Sequence, residues 1–425
     1  MGVLLLARIG GRNLWRNSRG TLLTALALGL GLALLLISLG LLDGSHEQMI
    51  GNAVRFGTGH VVIQAQGYQG TFSQELLLPT GVVSTTEAFL ATTPGLRGAS
   101  PRLLASGLLS SAANADGVRI MGVIAKDERT VSLIPQRMVE GTYLKDDQQS
   151  GVVIGADLAR KLAIKLGARV VLMTQAVQSP DAAATDAGGG EMQSVLLRVS
   201  GIFRTGIAAV DAHVIQVPLP EAQLLLGVPD RVTQIAVLLQ QEGDSPMLAR
   251  GLRRQLADVP VEILPWRQAM PALAQLFLLD DAFNYVMNGV VLAVVGLGIL
   301  NTILMRVLER RYEFGLCSAL GLRPAQLAIM VIGESLALTA ISLALGLALG
   351  LAVQQFFATS GLDLRWFFRS SLPAVLVFDP IIYARLSLTR IASSVGIVFV
   401  MATVISFYPA LKAARTELPG ALKVF

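Results

Sequence analysis

Residues 21–42 read TLLTALALGLGLALLLISLGLL, an apolar run that decides the fold class of this chain. The run is 22 residues long and carries no charged side chain. An α-helix rises about 1.5 Å per residue, so a run of this length crosses the roughly 30 Å hydrocarbon core of a bilayer. The sequence therefore predicts a transmembrane helix close to the N-terminus.

Three further apolar blocks lie in the last third of the chain, at residues 282–305, 327–352 and 391–408. The composition agrees with a membrane protein, because 53% of the residues are hydrophobic and 15% are charged, whereas soluble domains carry about a quarter charged residues. We predict a membrane α-helical protein with four transmembrane helices. A large polar domain, residues 43–281, is inserted between spans 1 and 2.

A cleavable signal peptide is the alternative interpretation of the first 42 residues, which combine a basic leader with an apolar core. Signal-peptide cores are about 7 to 15 residues long and end at a small-x-small cleavage site. The apolar core of this chain is longer, and the sequence that follows it, Leu-Leu-Asp-Gly-Ser, offers no such site. We therefore predict an uncleaved span.

Basic residues predict the orientation of the spans, because cytoplasmic loops carry an excess of Lys and Arg. Such residues cluster in segments 1–20, 306–326 and 409–425; they are Arg8, Arg12, Arg16, Arg19, Arg306, Arg310, Arg311, Arg323, Lys412, Arg415 and Lys423. Residues 43–281 instead hold 19 basic and 23 acidic side chains, a net charge of −4. We expect both termini and the 306–326 loop in the cytoplasm, and the large domain and the 353–390 loop outside it. The formal charge of +5 then reflects membrane topology rather than nucleic-acid binding.

The inserted domain has the pattern of a mixed α+β fold. Short runs rich in β-branched residues predict strands at His60–Gln66, Val118–Ile124, Val170–Gln175, Ser194–Phe203, His213–Val217 and Gln234–Leu239. Apolar residues at helical spacing predict helices at Ala156–Leu166 and Met247–Leu256. From Pro265 the pattern becomes helical and continues through Leu279 into the second span, which predicts a stalk. The only cysteine, Cys317, lies outside this domain, so the domain has no disulfide.

The loop between the second and third spans combines charges with a short amphipathic segment, Tyr312–Leu320, that ends at Gly321. Glu313 and the flanking Arg310 and Arg311 suit a polar protein contact. A charged loop that only fixes topology is the alternative, and the residues by themselves leave both open.

Two motifs resemble the permease subunits of the macrolide-exporter and cell-division (MacB/FtsX) superfamily of ABC transporters. The first is ERRYEFGLCSALG at residues 309–321, and the second is the tail YPALKAARTELPGALKVF from Tyr408. In the tail, Pro419 stands one place later than the family pattern. Both motifs, together with the predicted topology, extend the resemblance over the whole chain in outline.

The resemblance implies a permease of a type VII ABC transporter, in which a separate ATPase drives extracytoplasmic conformational change (mechanotransmission). It implies a coupling helix that docks on the ATPase, formed by Glu309, Arg310, Arg311, Tyr312, Glu313, Gly315, Leu316 and Leu320. The implied partners are two ATPase copies, a second identical or different permease subunit, membrane lipids and a periplasmic carrier or adaptor. ATP and Mg²⁺ would be bound by the ATPase subunits in the inner membrane complex, and this chain would hold no cofactor of its own.

Segments of the inserted domain resemble the lipoprotein-releasing (LolC/LolE-like) branch of this superfamily. They are Gly57–Tyr68, Ser150–Gln175 and Val199–Leu226. In that branch a hairpin at about the place of residues 178–190 grips a soluble carrier. The resemblance favours extraction or export of a lipoprotein, lipid or other amphiphile. The alternatives are a tripartite efflux permease for drugs or peptides and a non-transporting subunit that signals mechanically to a cell-wall hydrolase.

Three sets of residues in and near the spans are candidates for functional contacts. Glu334 is a carboxylate within the third span, where a charge is costly and normally faces protein. Small residues four apart predict helix packing at Ala25, Gly29, Ala33, Gly346 and Gly350. Leu273, Leu276, Phe277 and Phe283 form an apolar stalk face that could contact substrate, although simple helix packing also produces such a stripe.

Motifs for catalysis or metal binding are absent from the sequence. No G-x-x-x-x-G-K-[ST] segment is present, so the chain lacks the phosphate-binding loop of an ATPase. Its three histidines, His46, His60 and His213, do not have the spacing of metal ligands. We expect a subunit that is not itself an enzyme.

Overall fold

The computed structural model describes residues 18–145, 150–177, 191–363 and 381–414. The helices in this part of the chain are α1 (Ser18–Phe56), α2 (Tyr68–Thr71), α3 (Val82–Ala91), α4 (Ala125–Val131), α5 (Ala156–Lys161), α6 (Ala208–His213), α7 (Leu219–Leu226), α8 (Ser245–Gln255), α9 (Trp266–Ala269), α10 (Pro271–Glu309), α11 (Arg311–Ala319), α12 (Pro324–Ser360) and α13 (Leu388–Ala414). The strands are β1 (Val61–Ala65), β2 (Leu96–Ser110), β3 (Ala115–Val123), β4 (Met138–Gly141), β5 (Gly151–Gly155), β6 (Arg169–Gln175), β7 (Met192–Phe203), β8 (Val214–Pro218), β9 (Gln234–Leu239), β10 (Val261–Pro265), β11 (Leu362–Asp363) and β12 (Ile381–Ile382).

The described residues form two compact units. The helical unit contains residues 18–47, 277–363 and 381–414, and the mixed unit contains residues 48–145, 150–177 and 191–276. Four helices of the described chain, α1, α10, α12 and α13, are long and apolar enough to cross a membrane. The mixed unit is inserted between the first and second of them. The predicted fold class is therefore confirmed.

Buried hydroxyl groups of α12 bond to the backbone of their own helix, which suits a lipid environment. Helix α12 begins at Pro324, and the N–H of Arg323 donates to Oε1 of Gln326 at 2.9 Å. Along the same helix, Ser335, Thr339 and Ser342 each donate a hydroxyl to the carbonyl four residues earlier, at 2.8 Å. These side chains lie buried in the helical unit without leaving an unpaired polar group.

The mixed unit contains a sheet of ten strands. Its main path runs β10-β1-β9-β2-β3-β8-β5-β7-β4, and β6 pairs with both β2 and β7. Most neighbours are antiparallel, whereas β3 with β8 and β5 with β7 are parallel. Buried apolar residues of this unit form two clusters, a large one that includes Ile63, Leu103 and Ile120 and a smaller one around Ile134 and Phe203.

The strands that connect to the long helices are direct neighbours in the sheet. Strand β1 follows α1, and β10 precedes α9 and α10. They pair antiparallel, with Val61 opposite Pro265 and Ile63 opposite Ile263. The two connections are therefore joined by backbone hydrogen bonds.

Most predicted elements of this unit differ from the observed ones at their boundaries, and three of the differences have a clear physical reason. The helix predicted at Ala156–Leu166 ends at Lys161, because Ala163 adopts a left-handed conformation (φ +51°) and the Ile164 N–H donates to the Ala159 carbonyl at 2.8 Å. The strand predicted from His213 begins one residue later, since His213 ends α6.

The third correction concerns the stalk. Pro265 is the last residue of β10, and the helical pattern after it is divided into α9 and α10 by a break at Met270. The break has a local cause, because the residue before a proline is disfavoured in the α conformation and Pro271 starts the next helix.

His60 precedes β1 and is hydrogen-bonded to β9, and we expect it to make the stability of the mixed unit depend on pH. Its Nδ1 accepts the Leu239 N–H at 3.0 Å, and burial lowers the pKa of His60 below its usual value of about 6.5. Just below pH 6.5, His60 therefore binds a proton in the unfolded chain but not in the folded protein. We expect the melting temperature of the purified protein to hold above pH 6.5 and to fall as the pH drops through the lower, folded pKa.

His60→Asn keeps an acceptor near the Nδ1 position but does not titrate. We expect this variant to lose less stability than the wild type between pH 7 and pH 5. His213→Asn, at an exposed histidine of the same unit, is the matched control and should keep the wild-type profile. If the melting temperatures of the wild type and of His60→Asn fall equally with pH, His60 is not the group responsible for the pH dependence.

Candidate coupling site between the second and third spans

Helix α11 is a nine-residue segment between two long helices, and local sequence fixes its end. Gly321 adopts a left-handed conformation (φ +94°). The N–H groups of Gly321 and Leu322 donate to the carbonyls of Ser318 and Cys317 at 3.0 and 3.1 Å. This paired closure terminates a helix efficiently, and glycine adopts the required conformation without strain. The helix predicted at Tyr312–Leu320 is observed at Arg311–Ala319.

Arg310 lies at the junction between α10 and α11 and ties both to α12. Its Nε donates to Oε2 of Glu313 at 2.7 Å, and its Nη1 donates to Oε2 of Glu334 at 2.8 Å. The guanidinium carbon also lies 5.4 Å from the ring centroid of the buried Phe314. Because charge-assisted hydrogen bonds are short and directional, these contacts fix α11 against the third span.

A second arginine completes this cluster, which we call the Arg310–Glu334 cluster and define as Arg306, Arg310, Glu313, Phe314 and Glu334. Nη1 of Arg306 lies 4.0 Å from Oε1 of Glu334, and its Nη2 lies 3.4 Å from the Thr21 hydroxyl of α1. The side chains of Glu334 and Arg310 are 13% and 19% exposed.

A small cleft, with a cavity volume of about 20 Å³, adjoins the cluster. Apolar residues of α10 and α12 line it together with Arg306, Arg310 and Glu334; they are Ile303, Val307, Val331 and Leu338. The charges of the cluster thus meet one another at the edge of an apolar helix interface. Their contacts join α10, α11 and α12.

The opposite face of α11 and its end are apolar and open. Tyr312, Leu316 and Leu320 are 58%, 51% and 76% exposed, and their spacing of four places them on one face. Glu309 and Arg311 are exposed beside them. This combination of an apolar stripe with charges at its rim is the composition of a protein-binding surface.

The structure divides the predicted coupling residues between two faces. Arg310, Glu313 and Gly315 turn toward the helical unit, whereas Tyr312, Leu316 and Leu320 turn away from it. Sequence reasoning did not select Arg306 or Phe314. Their spacing of four residues on either side of Arg310 is the signal that could have identified them, because such residues share a helix face.

The rows of small residues in α1 and α12 face one another. A Cβ built on Gly346 would lie 2.5 Å from the Gly29 carbonyl oxygen, and one built on Gly350 would lie 3.2 Å from the Ala33 Cα. Ala25 is buried in a cluster with Leu338. The two backbones approach so closely that no side chain larger than hydrogen fits at Gly346.

The apolar stalk residues do not form one open face. Phe277 is buried and its ring lies 5.0 Å from the ring of His46, whose Nε2 lies 2.6 Å from Oδ2 of Asp280. Leu273 is half-buried, whereas Leu276 and Phe283 are exposed. The segment 178–190, most of the N-terminal arginines and the tail from residue 415 lie outside the described residues.

Two known families match the two halves of the chain. Residues 21–255 match the MacB-like periplasmic core domain, and residues 285–418 match the FtsX-like permease C-terminal family.

Curated relatives match along almost the whole chain. The lipoprotein-releasing system transmembrane protein LolC of Neisseria meningitidis is 23% identical over 418 residues, which cover 95% of this chain and 94% of the relative. The corresponding LolE of Haemophilus influenzae is 22% identical over 424 residues, covering 95% and 96%. Among solved structures, the periplasmic region of MacB from Actinobacillus actinomycetemcomitans aligns with 53% of this chain and 95% of its own length, at 13% identity and a TM-score of 0.36.

The fold and these matches define the class of the protein as a multi-span permease of the inner membrane with a large inserted domain. The chain belongs to the family of ABC transporter permeases that combine a MacB-like periplasmic core domain with an FtsX-like C-terminal region. The predicted family is thereby confirmed.

Proposed function

We propose that this chain is the permease subunit of a type VII ABC transporter and converts ATP hydrolysis by a separate subunit into movement of its inserted domain. In this proposal both termini and α11 lie in the cytoplasm, and the mixed unit lies in the periplasm. ATP and Mg²⁺ are bound by the ATPase subunits, two of which serve a permease dimer.

The single observation that supports the proposal most strongly is the division of α11 into two faces. Its inner face is fixed to the second and third spans by Arg310, whose hydrogen bonds to Glu313 and Glu334 are 2.7 and 2.8 Å long. Its outer face presents Tyr312 and Leu316 to solvent. A partner that grips the outer face can therefore move the spans through the inner face.

The proposed cargo is a lipoprotein or a similar amphiphile. The relatives named as lipoprotein-releasing proteins match the chain along almost its full length. Helix α10 also carries exposed apolar side chains, Leu278, Leu279 and Phe283, next to the acidic pair Asp280 and Asp281. Apolar side chains beside charges suit a molecule with an acyl chain and a polar headgroup.

Leu316→Glu tests the docking face. A carboxylate placed at the centre of an apolar interface removes burial and adds a desolvation penalty, so we expect recovery of the ATPase subunit with the tagged permease to fall at least about tenfold. The protein level should not change, because Leu316 is exposed and supports no core. Quantitative mass spectrometry after mild-detergent purification measures both quantities.

Leu388→Glu is the matched control, since Leu388 is also an exposed leucine but begins α13, on the periplasmic side in the proposed topology. It should leave ATPase recovery at the wild-type level. Equal recovery with Leu316→Glu and Leu388→Glu would reject the docking face. Co-purified lipids and proteins identify the cargo class: enriched lipoprotein or lipid supports extraction, whereas an adaptor or a hydrolase without enriched lipid contradicts it.

A further inference from the structure

A fully buried ion pair lies inside the mixed unit, between β2 and α4. Arg102 and Glu128 are both 0% exposed. Arg102 donates from Nε to Oε2 and from Nη2 to Oε1 of Glu128, each at 2.9 Å. This two-pronged geometry fixes the plane of the guanidinium as well as its position.

Other segments hold the carboxylate in place independently of the arginine. The Ser100 hydroxyl donates to Oε2 of Glu128 at 2.7 Å, and Nε2 of Gln216, on β8, donates to Oε1 at 3.3 Å. The Tyr143 hydroxyl donates to Oε1 of Gln216 at 2.8 Å. Because so many bonds converge on Glu128, the orientation of the Arg102 side chain is set by the sheet and α4.

The remaining arm of the guanidinium reaches the end of the first long helix. Nη1 of Arg102 donates to the carbonyl of Gly57, the residue that follows α1. Carbonyl groups at a helix C-terminus lack partners within the helix and carry the negative end of its dipole. A buried cation at this position stabilises them and holds the last turn of α1 in one direction.

The connection that Arg102 holds is short and contains two glycines. Gly57, Thr58, Gly59 and His60 join α1 to β1, and Gly59 has a φ of +74°. Glycine permits many backbone conformations, and hydrogen bonds select one of them here: the Gly59 N–H donates to the Val54 carbonyl and the His60 N–H to the Val237 carbonyl. The bond from Arg102 adds a buried side-chain contact to these backbone bonds.

Stability alone does not account for the pair. Replacing a buried ion pair by apolar residues of similar size is often neutral or stabilising, because both charges must be desolvated. What the pair supplies and an apolar cluster does not is a fixed direction for the chain that leaves α1.

We propose that Arg102 and Glu128 are positioning residues that form a rigid joint between the end of α1 and the β-sheet, through which movement of the first span reaches the inserted domain. This inference rests on the proposed function. The pairing of β1 with β10 then passes the movement to the connection with α10.

The test compares hydrogen exchange in the full-length wild type and in Arg102→Met/Glu128→Leu, purified with the co-purifying ATPase. The double variant removes both charges together, so we expect a melting temperature close to the wild-type value. Without nucleotide, amides of residues 53–60 should exchange roughly tenfold faster, because this segment opens more often once the Gly57 carbonyl has lost its hydrogen bond from a charged donor. ATP with vanadate should change the hydrogen exchange of the mixed unit in the wild type, and this change should be absent in the double variant. The ATP hydrolysis rate of the double variant should stay within about twofold of the wild-type rate.

Asp157→Asn/Arg160→Gln is the matched control, because it removes an exposed ion pair of the same unit. It should reproduce the wild type in every readout. If the double variant does not accumulate, Arg102→Lys replaces it, since an ammonium keeps the charge but cannot reproduce the planar fork.

Unchanged exchange at residues 53–60 would contradict the proposed joint. Faster exchange there with a normal response to ATP and vanadate would also contradict it, because Arg102 and Glu128 would then stabilise the segment without transmitting movement. Absence of any co-purifying ATPase would instead reject the proposed function. The nucleotide-free exchange at residues 53–60 would still decide whether the clamp exists.

Discussion

Glu334→Leu should lower the stability of the permease and uncouple it from its ATPase. Removal of the carboxylate takes from Arg310 its hydrogen bond to α12 and from Arg306 the carboxylate 4.0 Å away, beside Ile303 and Val331. Breaking a fully buried pair costs about 3–5 kcal/mol; because Glu334 and Arg310 are 13% and 19% exposed, we expect roughly 2–3 kcal/mol. Thermal unfolding in detergent measures this loss, and ATP hydrolysis by the purified complex measures coupling.

A double substitution separates stability from coupling. Arg310→Met/Glu334→Leu removes both charges, so we expect most of the lost stability to return. Coupling should not return, because the hydrogen bond that ties α11 to α12 is still missing. Arg310→Met is measured alone as well. If the stability losses of Arg310→Met and Glu334→Leu simply add in the double variant, or if the double variant couples ATP hydrolysis normally, the Arg310–Glu334 cluster is not a mechanical tie.

The exposed ion pair between Glu47 and Arg385 provides the matched control for this experiment. Exposed pairs contribute about 0–1 kcal/mol, since water screens them. Glu47→Leu should therefore change neither the unfolding temperature nor the coupling by a measurable amount. A loss comparable to that of Glu334→Leu would show that the assay responds to any removed charge.

Gly346→Ala should destabilise the contact between α1 and α12. The added Cβ would lie 2.5 Å from the Gly29 carbonyl oxygen and 3.0 Å from both the Gly29 Cα and the Leu32 Cβ. Two of these atoms belong to backbone, so the clash is relieved only if α1 and α12 separate. Overpacking of this kind costs about 1–3 kcal/mol, and we expect a lower unfolding temperature and less monodisperse protein on size-exclusion chromatography.

Gly333→Ala makes the same chemical change in the same helix and serves as its control. A Cβ at Gly333 would meet no atom within 4 Å. Alanine is about 1 kcal/mol more favourable than glycine in a helix, so this variant should be as stable as the wild type or slightly more stable. Equal stability of the two alanine variants would show that α1 and α12 can separate at Gly346 without cost.

Part of the candidate site could be predicted from the sequence, because short helices obey local rules. The charged turn before Tyr312 and the glycine at position 321 bracket α11 in the sequence as they do in the structure. The sequence could not show that Arg310 turns inward toward Glu334, since the two residues are 24 positions apart. Which face of a helix is covered depends on the packing of its neighbours.

The wrong end of the helix predicted at Ala156–Leu166 has the same explanation. Ala156–Leu166 has helical periodicity, but Leu162 and Ile164 are buried in the large apolar cluster only because the chain turns at Ala163. Tertiary burial outweighed local propensity there. The long strand β2 also lacks strict alternation in sequence, because Gly98, Pro101 and Gly107 interrupt it, and its place is fixed by pairing with β3, β6 and β9.

The sequence by itself determined that this is a four-span membrane protein with a large inserted domain, because the length of an apolar run and its lack of charge are local properties that a bilayer selects. Tertiary structure alone decided which side chains meet: Arg310 with Glu334, Arg102 with the Gly57 carbonyl, and Gly346 with Gly29. Each of these contacts joins residues far apart in the chain. Which residues become partners depends on the free energy of packing and of satisfying buried polar groups over a whole unit. No short segment of sequence encodes that free energy.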